Sequence, residues 1–98
     1  MTADELERRR ATIPGLLLID VRSRLEFDRG RLPGAHHVPF WKVLFTRLPE
    51  HSEIVVYCGH GPRARMAQAF LALRGVTGVS LLDGHYSGWR RHSRPVER

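Results

Sequence analysis

One cysteine, Cys58, is the only thiol in these 98 residues, so no disulfide can form within the chain. Long apolar runs are missing as well. Among the longest is Gly15-Leu16-Leu17-Leu18-Ile19, far short of the roughly 18 to 20 residues that a membrane-spanning helix needs. The first residues, MTADELERRRAT, are charged and lack the apolar core of a secretory signal. A free thiol without a partner and the absence of a leader together predict a reducing, cytoplasmic setting. Acidic residues are scarce in one half only: residues 58–98 hold seven basic and two acidic side chains, against nine and eight in residues 1–57. The excess of the +6 net charge therefore follows the cysteine, where a positive field draws small anions and favours thiolate over thiol. Arg90, Arg91, Arg94 and Arg98 read as a solvated basic tail. They are not interleaved with aromatic stacking residues, which argues against nucleic acid as a partner.

What is present suits one globular domain over residues 1–98: 42% apolar and 27% charged residues, with too few residues for a second domain. Ala3 to Arg10 predicts a short helix with acidic residues first and arginines last. Leu16 to Val21, Ala35 to Val38, Ile54 to Tyr57 and Val79 to Leu82 read as strands, the first a continuous apolar run of the buried kind. Between them lie a brief helix over Ser23 to Arg29, a one-sided helix over Pro39 to Leu48, and the clearest helix, Ala64 to Leu73, ended by Gly75. Asp83-Gly84 opens a last helical stretch through Trp89. Met66, Ala67, Phe70 and Leu71 are expected in the core, and Trp41 and Trp89 in the core or at its rim. Strands alternating with helices predict an α/β fold, a mostly parallel sheet with helices on both faces.

Cys58 stands at the carboxyl end of the strand Ile54–Tyr57 and immediately before a helix. Ligands collect at strand ends in open parallel sheets, and unpaired amides at a helix start favour an anion. A thiol placed there has its pKa lowered and its nucleophilicity raised. The loop Cys58-Gly59-His60-Gly61-Pro62-Arg63 supports that reading. Gly59 and Gly61 are expected at positive φ, turning amides inward as an anion nest. Arg63 offers its fork either to an oxyanion or to loop carbonyls. Pro62 suits the first helical position but removes one amide donor. His60 either adds charge and steers an acceptor or is an ordinary exposed residue. The candidate site is thus Cys58 as nucleophile, with Gly59, His60, Gly61, Arg63 and Ala64 around the substrate. Asp20 and Arg22 read as a structural pair. Six histidines, among them the adjacent His36 and His37, show no ligand spacing, so neither metal nor cofactor is expected.

Four segments together resemble the rhodanese family of sulfurtransferases over about residues 16–91. Leu18-Ile19-Asp20-Val21-Arg22 with Glu26-Phe27 resembles the family's Asp-Val-Arg strand end and its glutamate-containing helix. Arg29-Gly30-Arg31-Leu32-Pro33-Gly34-Ala35-His36, continued by Val38-Pro39, resembles its Gly-His-Ile-Pro-Gly-Ala segment. Ile54 to Cys58 is similar to the strand that delivers its catalytic cysteine, and Leu81-Leu82-Asp83-Gly84-His85 through Trp89 to its closing Gly-Gly…Trp segment. The resemblance implies a three-layer sandwich around five strands. It also implies that Cys58 takes the outer sulfur of thiosulfate or a persulfide as its own persulfide and hands it to cyanide, a thiol or a protein acceptor. Two departures, His85 for the second glycine and Arg31-Leu32 for His-Ile, are expected to lie away from the nucleophile. A third, Pro62, lies in the loop itself. The six-residue loop is one residue shorter than the C-x5-R loop of cysteine phosphatases, which favours a sulfur atom over a phosphoryl group. A sulfur carrier or regulatory module on the same fold is the alternative. A redox thiol enzyme would need a resolving cysteine that the chain lacks.

Overall fold

The apolar run after Gly15 becomes β1, Leu16–Asp20, and its burial explains why that run does not alternate: both faces are covered. The computed structural model describes residues 1–98. Its order is α1 (Ala3–Thr12), β1, α2 (Arg24–Arg29), β2 (His36–His37), a 3-10 turn (Phe40–Lys42), β3 (Glu53–Tyr57), α3 (Pro62–Leu73), β4 (Ser80–Leu81) and α4 (His85–Arg91). All strand pairs are parallel, in the order β2-β1-β3-β4. β1 and β3 form the spine, with Leu16 opposite Glu53 and Asp20 opposite Tyr57. Alternate residues sort onto two faces. Leu17, Ile19, Val21, Ile54, Val56 and Cys58 pack with Ala64, Ala67 and Leu71 of α3. Leu18, Val55 and Tyr57 pack with Leu6 of α1 and Trp89 of α4.

Local chemistry sets the helix ends. Thr2 and Ser23 each accept from the amide three residues on, from Glu5 and Glu26, whose carboxylates reach back to the cap amides. Each such capping box contributes about 1 kcal/mol to its helix. Pro62 fills the first position of α3, where an N–H would find no helical partner.

Four expectations change. The sheet has four strands rather than five; beyond them only Arg31 and Glu97 form an isolated antiparallel bridge. Extending that bridge would set Pro33 against Pro95, neither of which has an amide to donate to a ladder. Pro39–Leu48 is not a one-sided helix. The 3-10 turn ends at Lys42, and the carbonyls of Val43 and Thr46 accept instead from the Arg74 guanidinium at 2.6 and 2.8 Å. Val43 is buried, while Trp41 and Phe45 are 57% and 83% exposed. Met66 likewise lies outside the core, because α3 turns Ala64, Ala67 and Leu71 inward at three- and four-residue spacing. The basic tail is partly tied down: Arg94 pairs with Asp4 and Glu7 of α1, and Arg98 donates to the Arg29 carbonyl.

The most heavily bonded buried group is Asp20, at the end of β1. Its carboxylate accepts from the Arg22 amide at 2.9 Å, from Arg22 Nε and Nη2, and from the Tyr57 hydroxyl at 2.7 Å. Tyr57 in turn accepts from the Leu32 amide, and Arg22 Nη2 also donates to the Gly30 carbonyl. Burial, reinforced by the neighbouring Asp20 charge, pushes the Tyr57 hydroxyl far above the usual phenol range, so it stays a donor. Asp20 and Arg22 are thus structural, and no buried side-chain polar atom lacks a partner. Removing one hydroxyl leaves both a carboxylate oxygen and an amide short of a bond. Urea denaturation of Tyr57→Phe is therefore expected to show a loss of about 1 to 3 kcal/mol, and Asp20→Ala, which leaves Arg22 buried and unpaired, about 3 to 5 kcal/mol.

Candidate active site at the Cys58 loop

The sheet order places β1 between β2 and β3, so the chain leaves β1 in one direction and returns to its other side for β3. The crevice at such a reversal, beyond the strands' carboxyl ends, is where open α/β sheets bind ligands. Cys58 follows β3 into that crevice, with Val21–Ser23 following β1 beside it. The Cys58 side chain is fully buried, and its Sγ accepts from the Gly61 amide at 2.9 Å. Gly61 has φ +135°, the conformation that turns this N–H back onto the sulfur and that a side chain would strain. Gly59 is not in that region, contrary to expectation. Its need for glycine is one of space, since a Cβ there would meet Arg63 Nη2 at 3.1 Å.

Burial pushes the Cys58 thiol up, but the His85 imidazole and the amides of Ala64, Gly61 and His60 outweigh it and bring the pKa down from 9.0 to about 7. The arrangement therefore favours the thiolate near neutral pH. Pro62 sits among these donors and contributes none. The expected set of Cys58, Gly59, His60, Gly61, Arg63 and Ala64 is brought together at the junction of β3 and α3. His60 is exposed at the loop's outer edge, whereas Gly59, Gly61 and Ala64 are buried.

Arg63 donates to no loop carbonyl. Its fork is filled by Glu26 of α2, with Nη1 to Oε1 at 2.6 Å and Nη2 to Oε2 at 3.0 Å. Glu26 also accepts from the Ser23 amide and hydroxyl, so one carboxylate caps α2 and clamps the loop arginine. His85 is the second residue whose place differs from expectation. Rather than lying away from the nucleophile, its Nδ1 accepts from the Cys58 amide at 3.2 Å. Reading the chain locally missed both, although each belongs to a recognisable segment: Glu26 as the third residue after a serine cap, and His85 just past a glycine turn. His37, one of the adjacent pair, is occupied structurally, its Nε2 at 2.7 Å from the Arg22 carbonyl and its ring stacked on Phe27.

A parallel sheet with a lone thiol held among amides at its switch point defines an α/β protein with an arrangement that favours a thiolate. The rhodanese-like domain profile matches residues 2–92, and the chain belongs to that family. It is similar to a sulfurtransferase of Allochromatium vinosum, at 30% identity over 96% of this chain and 90% of the relative. The thiosulfate sulfurtransferase GlpE of Haemophilus influenzae is 32% identical over 85% of this chain and 81% of its own length. Among solved structures, the human single-domain sulfurtransferase TSTD1 superposes with a TM-score of 0.79 at 26% identity, covering 93% of this chain and 94% of that one.

The Glu26–Arg63 pair carries a pH signature. Despite partial burial, the Arg63 guanidinium and the Ser23 cap hold the Glu26 carboxyl down at about 2, from an ordinary 4.5. A carboxylate depressed in the folded state stabilises it above the unfolded value and loses that contribution as pH falls from about 4.5 toward 2. Both side chains are about one-third exposed, and solvent screening reduces the effect to about 1 kcal/mol. Denaturation at a series of pH values is expected to show that increment in the wild type and its absence in Glu26→Gln.

Proposed function

We propose that the chain is a sulfurtransferase in which Cys58 carries the sulfur, the supporting observation being a buried sulfur that accepts from the Gly61 amide at 2.9 Å at the start of α3. In the first step the Cys58 thiolate attacks the outer, sulfane sulfur of thiosulfate or of a persulfide donor. The donor's S–S bond breaks, sulfite or a thiolate departs with the bonding pair, and Cys58 is left as Cys58–S–S⁻. In the second step cyanide or a thiolate attacks the outer sulfur, and Cys58 leaves as thiolate. The charge moves outward by one atom, and the amide ring that lowers the thiol pKa is suited to the terminal sulfur too. Gly59, His60, Gly61, Arg63 and Ala64 form the walls of this cradle.

The surroundings of the loop favour a small terminal sulfur. The three surface concavities are lined by other residues, none of them between 58 and 63. Thiosulfate presents its outer sulfur by itself, and a persulfidated partner protein presents one by docking. That second route is the sulfur-carrier reading on the same residues. A cytoplasmic location is consistent with a thiol of this kind, which needs a reducing environment to stay free.

Intact mass spectrometry after incubation with thiosulfate tests the proposal. The wild type is expected to gain the mass of one sulfur atom and Cys58→Ala none; a wild type that gains none from thiosulfate or from any persulfide overturns it. Gain from a protein persulfide alone selects the carrier reading. Pro62→Ser, which restores an amide to the ring, is expected to slow loss of the bound sulfur several-fold, within the range of about 1 kcal/mol for one hydrogen bond.

A further inference from the structure

Residues 85–87 of α4 are tied to residues 58–59 by three consecutive hydrogen bonds. His85 Nδ1 accepts from the Cys58 amide at 3.2 Å, the Tyr86 amide donates to the Cys58 carbonyl at 3.0 Å, and the Ser87 amide donates to the Gly59 carbonyl at 3.1 Å. Only the first needs a side chain, and only a ring nitrogen without a proton can make it. The proton of the neutral imidazole is thereby assigned to Nε2. That edge of the ring faces Gly61: a Cβ built there would lie 3.4 Å from Nε2. Gly61 is the residue whose amide donates to Cys58 Sγ. The imidazole therefore holds the amide of Cys58 and lies beside Gly61, the two loop residues whose relative position sets the geometry around the sulfur.

The backbone makes this placement costly. His85 has φ +51°, the left-handed conformation that glycine and asparagine adopt readily and other residues resist, and it follows Gly84 at φ +76°. A glycine at 85 would relieve that strain but leave the Cys58 amide without its acceptor in a buried setting. The chain keeps the strained histidine, and its ring is buried against the loop.

We propose that His85 is a positioning residue of the Cys58 loop, its imidazole holding the Cys58 amide in place beside Gly61 and so fixing the surroundings of the sulfur. The inference rests on the reading of Cys58 as a nucleophile but not on the sulfur donor. The His85 ring is among the groups that favour the thiolate. The other charged or titratable groups around the loop are Arg63 and Arg65 of α3, Glu26 of α2 bound to Arg63, and the exposed His60. Behind them lie the Asp20–Arg22 pair after β1 and Tyr86 of α4, over whose ring Arg22 stacks at 4.0 Å. None of these is altered by substituting His85.

Two variants, His85→Gly and His85→Asn, separate positioning from mere packing. The readouts are thiolate absorbance against pH, alkylation rate by iodoacetamide, and thermal denaturation. In folded His85→Gly the Cys58 titration is expected to move up by about one pH unit, with alkylation at neutral pH slowed roughly five- to tenfold and the difference vanishing in alkali. Asparagine tolerates the same backbone and presents Oδ1 to the Cys58 amide, so it is expected to recover part of the loss. An unchanged Cys58 titration in folded His85→Gly overturns the inference, as does an asparagine variant no better than glycine. Because these readouts need no sulfur donor, a wild type that titrates as stated yet gains no sulfur removes the sulfur-transfer reading and leaves this one standing.

Discussion

The carboxylate of Asp20 is the constraint on which the rest of the site depends. A buried charge is tolerated only when every lone pair has a partner, and Asp20 draws its partners from three directions: Arg22 just beyond β1, Tyr57 on β3, and through them the turn at Gly30 and Leu32. Tyr57 is the residue before Cys58. Fixing its hydroxyl against Asp20 fixes the end of β3 relative to the end of β1, and a slip of one residue would send Cys58 to the opposite face of the sheet. The apolar core supplies most of the burial, but it does not by itself choose that register at the strand ends.

From that fixed point two helix starts converge on one sulfur. α3 begins within the loop and contributes the Ala64 amide, while α4 begins beneath it and contributes the His85 ring and two backbone donors. Burial alone would disfavour a thiolate here. The balance turns because several short, fixed dipoles act on a buried sulfur, whereas Arg63, the loop's own arginine, is already matched by Glu26. The positive half of the chain therefore matters less at the sulfur than its net charge suggests, and oriented neutral groups matter more.

Much of this was legible in sequence where the information is local. The four strand segments, the helix through Leu73 with Pro62 at its first position, and the placement of Cys58 between strand and helix follow from periodicity and backbone preference. Pro39–Leu48 misled because its apolar spacing fits a helix, yet its carbonyls are claimed by Arg74, nearly thirty residues on. Met66 misled for a related reason: which side of α3 faces inward is settled by the sheet it packs on, and that side is lined by alanines.

By itself, then, the sequence determined most of the element types, the lone thiol at a strand end, and the six-residue loop from Cys58 to Arg63. These depend on backbone preferences and spacings within a few residues of one another. Tertiary structure alone decided that Glu26 holds Arg63 across 37 positions, that Tyr57 meets Asp20 across another 37, and that His85 reaches the Cys58 amide across 27. No local pattern encodes such pairs, because they exist only once parallel strands have set their register and brought the ends of β1, β3 and the start of α4 to one edge of the sheet.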